Sequence, residues 1–147
     1  KKIISVLLIL TTIFLSCQKE INSPLKSPDG LPIVVTNTLT TIADTFAIGG
    51  GNVLSDGGSA IVARGICWST IPNPSITDSH TNNGAGLGSF IDTIRGLLPS
   101  TAYHFRAYAT NGNGTVYGTD SAFITSALPA ILPVVTTNTT TLITATT

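Results

Sequence analysis

The stretch IRGLLPSTAYHFRAYATNGNG, residues 94–114, decides how the rest of the chain is read. Tyr103, Phe105, Ala107 and Ala109 recur at every second position, with His104, Arg106 and Tyr108 between them. A period of two puts the first set on one face of a strand and the second on the other. The first set has the composition of a core face, so His104, Arg106 and Tyr108 are expected to point away from it. The alternation stops at Asn111-Gly112-Asn113-Gly114, residues that accept positive φ and predict a tight turn. The segment reads as one half-buried strand of a stacked pair of sheets.

The same pattern extends outward. From residue 31 on, short β-branched runs alternate with Gly, Asn, Asp and Pro clusters, and no segment has a helical apolar period. Candidate strands cover residues 32–37, 45–53, 60–69, 88–97, 102–111 and 116–125, with a short one at 75–81. These predict an all-β antiparallel sandwich of about seven strands. Asp56-Gly57-Gly58 predicts a hairpin between two of them. Pro72 and Pro74 take the chain out of the sheet, because neither can donate to a central ladder.

Leu97, Pro99, Thr101, Tyr103, Phe105, Ala107, Ala109 and Asn111 resemble the fibronectin type III signature. Together with GGNV (50–53), ARGICWST (63–70) and AYATN (107–111), they resemble the version repeated in Bacteroidetes surface proteins. The resemblance implies a fibronectin type III or immunoglobulin-like sandwich over residues 31–127. It also implies a tyrosine corner at Tyr103, whose hydroxyl bonds back to the chain. One departure stands out. FAIGGGNV (46–53) has Gly where the animal domains often carry a core Trp, and Trp68 is expected to fill part of that space.

The ends carry different information. Lys1 and Lys2 precede an apolar run from Ile3 to Leu15, interrupted only by Ser and Thr. A transmembrane helix needs about 20 apolar residues; this run has the length of a signal-peptide core. FLSC (14–17) resembles the lipobox of bacterial lipoproteins, with Phe14 where Leu is usual. That resemblance implies a signal peptide over residues 1–17 and acylation of Cys17. It further implies an outer-membrane lipoprotein facing the periplasm or the cell surface. Residues 18–30 read as a flexible linker. Gln18, Lys19 and Glu20 resemble a surface-export signal, and an ordinary solvated linker remains open beside it. Residues 128–147 read as a linker and the start of a second repeat. LPIVVTNTLTTIADTF from Leu31 and LPVVTTNTTTLITATT from Leu132 share nine of sixteen positions without a gap.

Function is constrained mainly by exclusion. Charged residues are 10% of the chain and the formal net charge is zero, so no basic face points to nucleic acid. His80 and His104 do not stand in metal-ligand spacing, and no nucleophile elbow or phosphate-binding loop precedes a helix. No metal, no cofactor and no enzymatic activity are expected. With Cys17 acylated, Cys67 has no disulfide partner and reads as a small buried hydrophobe. Trp68, Tyr108 and Arg106 form a candidate contact set for an extracellular glycan or protein, provided that Trp68 and Tyr108 share an outer sheet face. DTI (92–94) and DSA (120–122) resemble the Bacteroidetes O-glycosylation tripeptide, which marks Thr93 and Ser121. The chain is thus expected to be a lipid-anchored, non-enzymatic spacer or presentation stalk. The alternatives are a carbohydrate- or protein-binding adhesion module, or an accessory region of a secreted hydrolase. Exposure of Trp68 separates these, and Trp68 is expected to be mostly buried.

Overall fold

The computed structural model describes residues 27–130. The expected signal peptide, Cys17, most of the expected linker and the segment from residue 131 read as the start of a second repeat lie outside the described residues. Among the described residues the regular structure is all strand: β1 (Ile33–Thr36), β2 (Thr41–Ile42), β3 (Phe46–Ser55), β4 (Ala63–Ser69), β5 (Ser79–His80), β6 (Gly88–Arg95), β7 (Ala102–Asn111), β8 (Gly114–Tyr117) and β9 (Ser121–Ile124). All pairings are antiparallel. In one sheet β3 is central, with β6 on one side and β1 and β2 on the other. In the other the order is β5-β4-β7, and β7 is completed by β8 and then β9. Counting β1/β2 and β8/β9 as two interrupted strands gives seven strand positions, as expected.

The core lies between the sheets and is complete within residues 32–125. Tyr103, Phe105, Ala107 and Ala109 are all buried inward, as their period requires. They meet Val34, Val53, Phe90 and Ile94 from the opposite sheet. The Tyr103 ring stacks on Phe123 at 5.8 Å, and its hydroxyl accepts the Leu98 N–H at 3.1 Å. This bond fixes the crossover from β6 to β7, which is the role of a tyrosine corner.

The glycines of β3 explain the missing core Trp. A Cβ on Gly51 would lie 2.5 Å from Ala107 Cβ and 2.9 Å from Phe90 Cζ. One on Gly49 would lie 2.5 Å from Leu39 Cδ2. The sheets therefore approach closely here, and Leu39, Phe90 and Ala107 occupy the space. Trp68 packs against the same core cluster.

Three expectations are corrected. The turn at Asp56–Gly58 has positive φ at Gly57 and Gly58, yet it is no hairpin. It carries the chain from one sheet to the other, since β3 pairs with β1, β2 and β6 and β4 with β5 and β7. The strand expected at 116–125 is two strands separated by residues 118–120. At that break the Ala107 N–H is taken by Thr36 Oγ1 at 3.0 Å, and Ala107 O accepts the Gly118 N–H at 2.8 Å. The strand expected at 75–81 shrinks to Ser79–His80. Pro74 is fully buried, and Asn73 adopts φ 60°, so residues 70–78 fold as a strap rather than a strand.

Candidate functional site

The candidate contact set lies on β4 and β7, which pair Gly65 with Tyr108, Cys67 with Arg106 and Trp68 with Phe105. Directly paired residues share a face. Trp68 therefore lies with Phe105 on the core face, and Tyr108 lies with Gly65 on the outer face. The premise that Trp68 and Tyr108 are neighbours on an outer face is corrected: the sheet itself separates them. Both faces of β4 are covered, since Gly65, Ile66 and Cys67 are all buried. Alternation alone could not tell its inside from its outside.

The outer face is covered by the segment that follows β4. Tyr108 points outward, as its alternation predicts, but it is only 3% exposed. Its hydroxyl donates to Thr81 O at 2.7 Å, and the His80 ring meets it edge-on at 6.1 Å. Burial raises its phenol pKa above the ordinary value. Gly65 permits this cover, because a Cβ there would lie 2.2 Å from Thr81 O. Cys67 is fully buried beneath the same strap, with its Sγ 3.3 Å from Pro74 O and 3.5 Å from Arg106 O. Burial pushes the thiol up to about 11, so it stays protonated and unreactive near neutrality.

Arg106 is partly exposed, and its guanidinium is held against the domain. Its Nε donates to Gly118 O at 3.0 Å, and its guanidinium sits 4.6 Å above the Tyr117 ring. Tyr117 is the outer-face aromatic that sequence alternation missed; β8 sets it opposite Tyr108. Its hydroxyl accepts the Ile76 N–H at 3.2 Å. Beyond Arg106, His104 Nδ1 and Asp120 Oδ2 are 2.8 Å apart, and the same carboxylate oxygen accepts the Asn73 N–H at 3.3 Å. Ser69 stands opposite His104 in register, but its hydroxyl accepts the Ile71 N–H at 3.2 Å. These contacts tie the 70–78 strap and the β8–β9 break to β7. No sequence motif announced them, because the partners are far apart along the chain.

The remaining candidates are scattered. Thr93 is paired with Ile48 on the outer face of the β3 sheet, and its N–H is capped by Asp92 Oδ1 at 2.9 Å. Ser121 pairs with Phe105 and lines an opening of about 420 Å³ between the sheet edges, with Leu39 and Ile42 across from it. A second concavity, of about 510 Å³, is lined by Asn37, Thr38, Thr40, Gly50 and Ile91. It exists because the first strand breaks between β1 and β2. Among the described residues no group of three or more His, Cys, Asp or Glu side chains is placed to hold a metal ion.

No family model matches the chain, and no curated protein matches it either. Solved structures do. The sixth fibronectin type III domain of human fibronectin type III domain containing protein 3 is 21% identical, with a TM-score of 0.50; the match covers 70% of this chain and 93% of that one. The sensor domain of the anti-sigma factor RsgI4 in Pseudobacteroides cellulosolvens is 20% identical, with a TM-score of 0.47, covering 73% and 99%. The third fibronectin III domain of human KIAA0343 protein is 18% identical, with a TM-score of 0.47, covering 74% and 94%. The fold is that of a fibronectin type III or immunoglobulin-like sandwich.

Proposed function

We propose that this chain is a non-enzymatic, lipid-anchored envelope protein whose sandwich serves as a spacer or presentation stalk. One observation carries the reading: the aromatics expected to form a ligand platform are spent inside the domain. Tyr108 is buried with its hydroxyl bonded to Thr81 O, and Trp68 lies on the core face, half-buried against the core cluster. Stacking on a sugar ring needs an open aromatic face. Of the outer-face aromatics, Tyr117 already carries Arg106 over its ring. The anchor rests on the lipobox resemblance at Ser16-Cys17 and on the Lys-flanked apolar run before it. A covalently lipidated tether joined to a rigid unit suits display at a distance from the membrane.

A binding module is the second reading, and one feature favours it. The concavity at Asn37, Thr38, Thr40, Gly50 and Ile91 joins amide and hydroxyl groups to an apolar wall, a lining suited to a small neutral ligand. The test has two arms. Metabolic labelling of the precursor with a fatty-acid analogue should mark the parent and not Cys17→Ala; equal labelling would remove the anchor. The chain applied to glycan and extracellular-protein arrays should give background signal. A specific ligand, lost on Asn37→Ala with Thr38→Ala, would replace the spacer reading with the second one.

A further inference from the structure

The chain enters the sandwich at one end, and that end carries an apolar patch. β1 starts there, opposite the end of β3, since Ile33 pairs with Ser55. The starts of β4 and β6 and the turn between β7 and β8 lie at the same end, through the pairs of Ala63 with Thr110, Val53 with Gly88 and Asn111 with Gly114. Val62 and Leu87 are 63% and 54% exposed in its loops, and Leu54 is 43% exposed just past the last β3–β6 pair. The Gly86 N–H reaches Ile61 O at 3.4 Å, which brings the loops of Val62 and Leu87 together. Exposed apolar clusters on a small domain commonly mark contact surfaces.

Charge is scarce around this patch. The loops at 56–62, 82–87 and 112–113 contain one charged residue, Asp56, and Asp29 lies in the entering segment beside them. Asp56 turns one carboxylate oxygen back to the Gly58 N–H at 2.8 Å. Arg64, behind the loop of Leu87, is spent inward. Its Nη1 lies 3.1, 2.8 and 3.2 Å from the carbonyl oxygens of Gly86, Leu87 and Gly88, and its guanidinium carbon sits 5.3 Å from the Phe90 ring centroid. Leu87 is thereby held in place before any contact forms, which lowers the ordering cost of an interface. Aliphatic side chains among neutral loops leave little charge to desolvate against an apolar layer.

The anchor indicates what meets this end. Gly30 O accepts the side-chain amides of Asn111 and Asn113 at 2.7 and 2.8 Å, so the entering chain is fastened here. From Cys17 to Gly30 the chain spans at most roughly 45 Å. A polar segment of that length has a root-mean-square span of about 20 Å. The opposite end is further off by the length of a strand such as β7, whose 10 residues cover roughly 33 Å. Acylation at Cys17 therefore keeps the Val62–Leu87 end near the bilayer and the other end away from it. A few aliphatic side chains hold a free domain on a bilayer only weakly. A tether makes the same contact intramolecular, at an effective concentration of about millimolar.

We propose that this end of the sandwich rests on the membrane, with Val62, Leu87 and Leu54 against the boundary between headgroups and acyl chains. The inference rests on the lipid anchor of the proposed function and deepens it. A domain seated on its entry end stands upright. Ile124, the last residue of β9, pairs with Ala102 at the far end, so the chain leaves the domain on the side away from the membrane.

The test supplies the anchor chemically. The chain from Cys17 to Thr147 is coupled through Cys17 to a maleimide lipid in phosphatidylcholine nanodiscs that also carry a nitroxide-headgroup lipid. Cys67 does not compete, because it is buried and holds its proton near neutrality. Broadening of methyl resonances by the nitroxide then reports nearness to the lipid. The Leu54 methyls should broaden far more than those of Leu98 at the opposite end. Val62→Ser with Leu87→Ser should abolish most of the Leu54 broadening. Leu98→Ser with Ile124→Ser, a pair 64% and 67% exposed at the opposite end, should leave it in place. Neither pair should move the melting midpoint of the uncoupled chain, because exposed sites contribute little to stability. Equal Leu54 broadening in the parent and in Val62→Ser with Leu87→Ser would mean that the tether alone keeps the domain near the bilayer, and would overturn the seat. The coupling makes no use of cellular acylation, so that result would leave the lipid anchor standing. The anchor itself fails only if fatty-acid labelling of the precursor does not depend on Cys17.

Discussion

The side-chain nitrogen of Asn111 lies 2.7 Å from Gly30 O and 2.8 Å from Asp56 O. Its side-chain oxygen accepts the N–H groups of Asn113 and Gly114 at 2.8 and 3.2 Å. The residue is 4% exposed, so a single carboxamide satisfies four backbone groups from three segments. Asn113 adds a second bond to Gly30 O at 2.8 Å. The Asn-Gly turn therefore clamps the chain where it enters the domain.

From this follows the first prediction. Asn111→Asp keeps the acceptor but sets an oxygen against two carbonyl oxygens, and Asn111→Ala takes the side-chain acceptor from two N–H groups and leaves the Gly30 and Asp56 carbonyls only their bonds from Asn113 and Ser59. Each should cost about 2–4 kcal/mol by chemical denaturation. An Asn111→Asp domain as stable as the parent would show that the clamp does not hold the chain.

The second prediction concerns the close approach of the sheets. Gly51→Ala puts a Cβ 2.5 Å from Ala107 Cβ, and the neighbouring Phe90 ring and Val35 carbonyl, both at 2.9 Å, leave little room to shift. Overpacking of this kind costs roughly 1–3 kcal/mol. Ala107→Gly should restore part of that loss in the double variant, a coupling expected only of residues in contact. Additive losses in the two single variants would mean that Ala107 is not what Gly51 makes room for.

Alkaline pH gives the third. The folded Cys67 thiol holds its proton up to about pH 11, against 9.0 for the ordinary group, mainly because burial disfavours the thiolate. The native state then binds more protons than the unfolded one between those values. Stability should be level below about pH 9 and fall as pH rises towards 11. Burial raises Tyr108 too, which adds to the fall in the same direction. Urea midpoints measured across this range should fall less steeply in Cys67→Ala. An identical alkaline slope in parent and variant would contradict a buried, protonated thiol.

Legibility in the sequence followed the number of buried faces. β7 was legible to the residue, because its apolar set lies on one side and its polar set mostly on the other. β4 was not, because Gly65 and Cys67 are buried under the segment that follows β4 while Ile66 is buried in the core. Tyr108 was assigned to the outward-pointing set correctly; its relation to Trp68 failed because no pattern says which side of β4 is in. The β8–β9 break depends on Thr36, 71 residues from Ala107 in the chain, and local turn chemistry carries no trace of it. Gly57 and Gly58 announced a reversal, but the sheet joined by the next strand is decided by long-range burial.

Trp68 is the chain's single tryptophan, so its fluorescence reports on this position alone. The most direct measurement is quenching of that emission by acrylamide, in the folded domain, in the unfolded chain and in the presence of a panel of oligosaccharides. The account predicts a folded-state quenching constant well below the unfolded one, with emission unmoved by any saccharide. It also predicts that Trp68→Ala lowers stability by about 2–4 kcal/mol, as loss of a core-packed ring should. Quenching as efficient in the folded domain as in the unfolded chain, or a saccharide-dependent emission shift, would contradict the claim that this side chain belongs to the core rather than to a ligand.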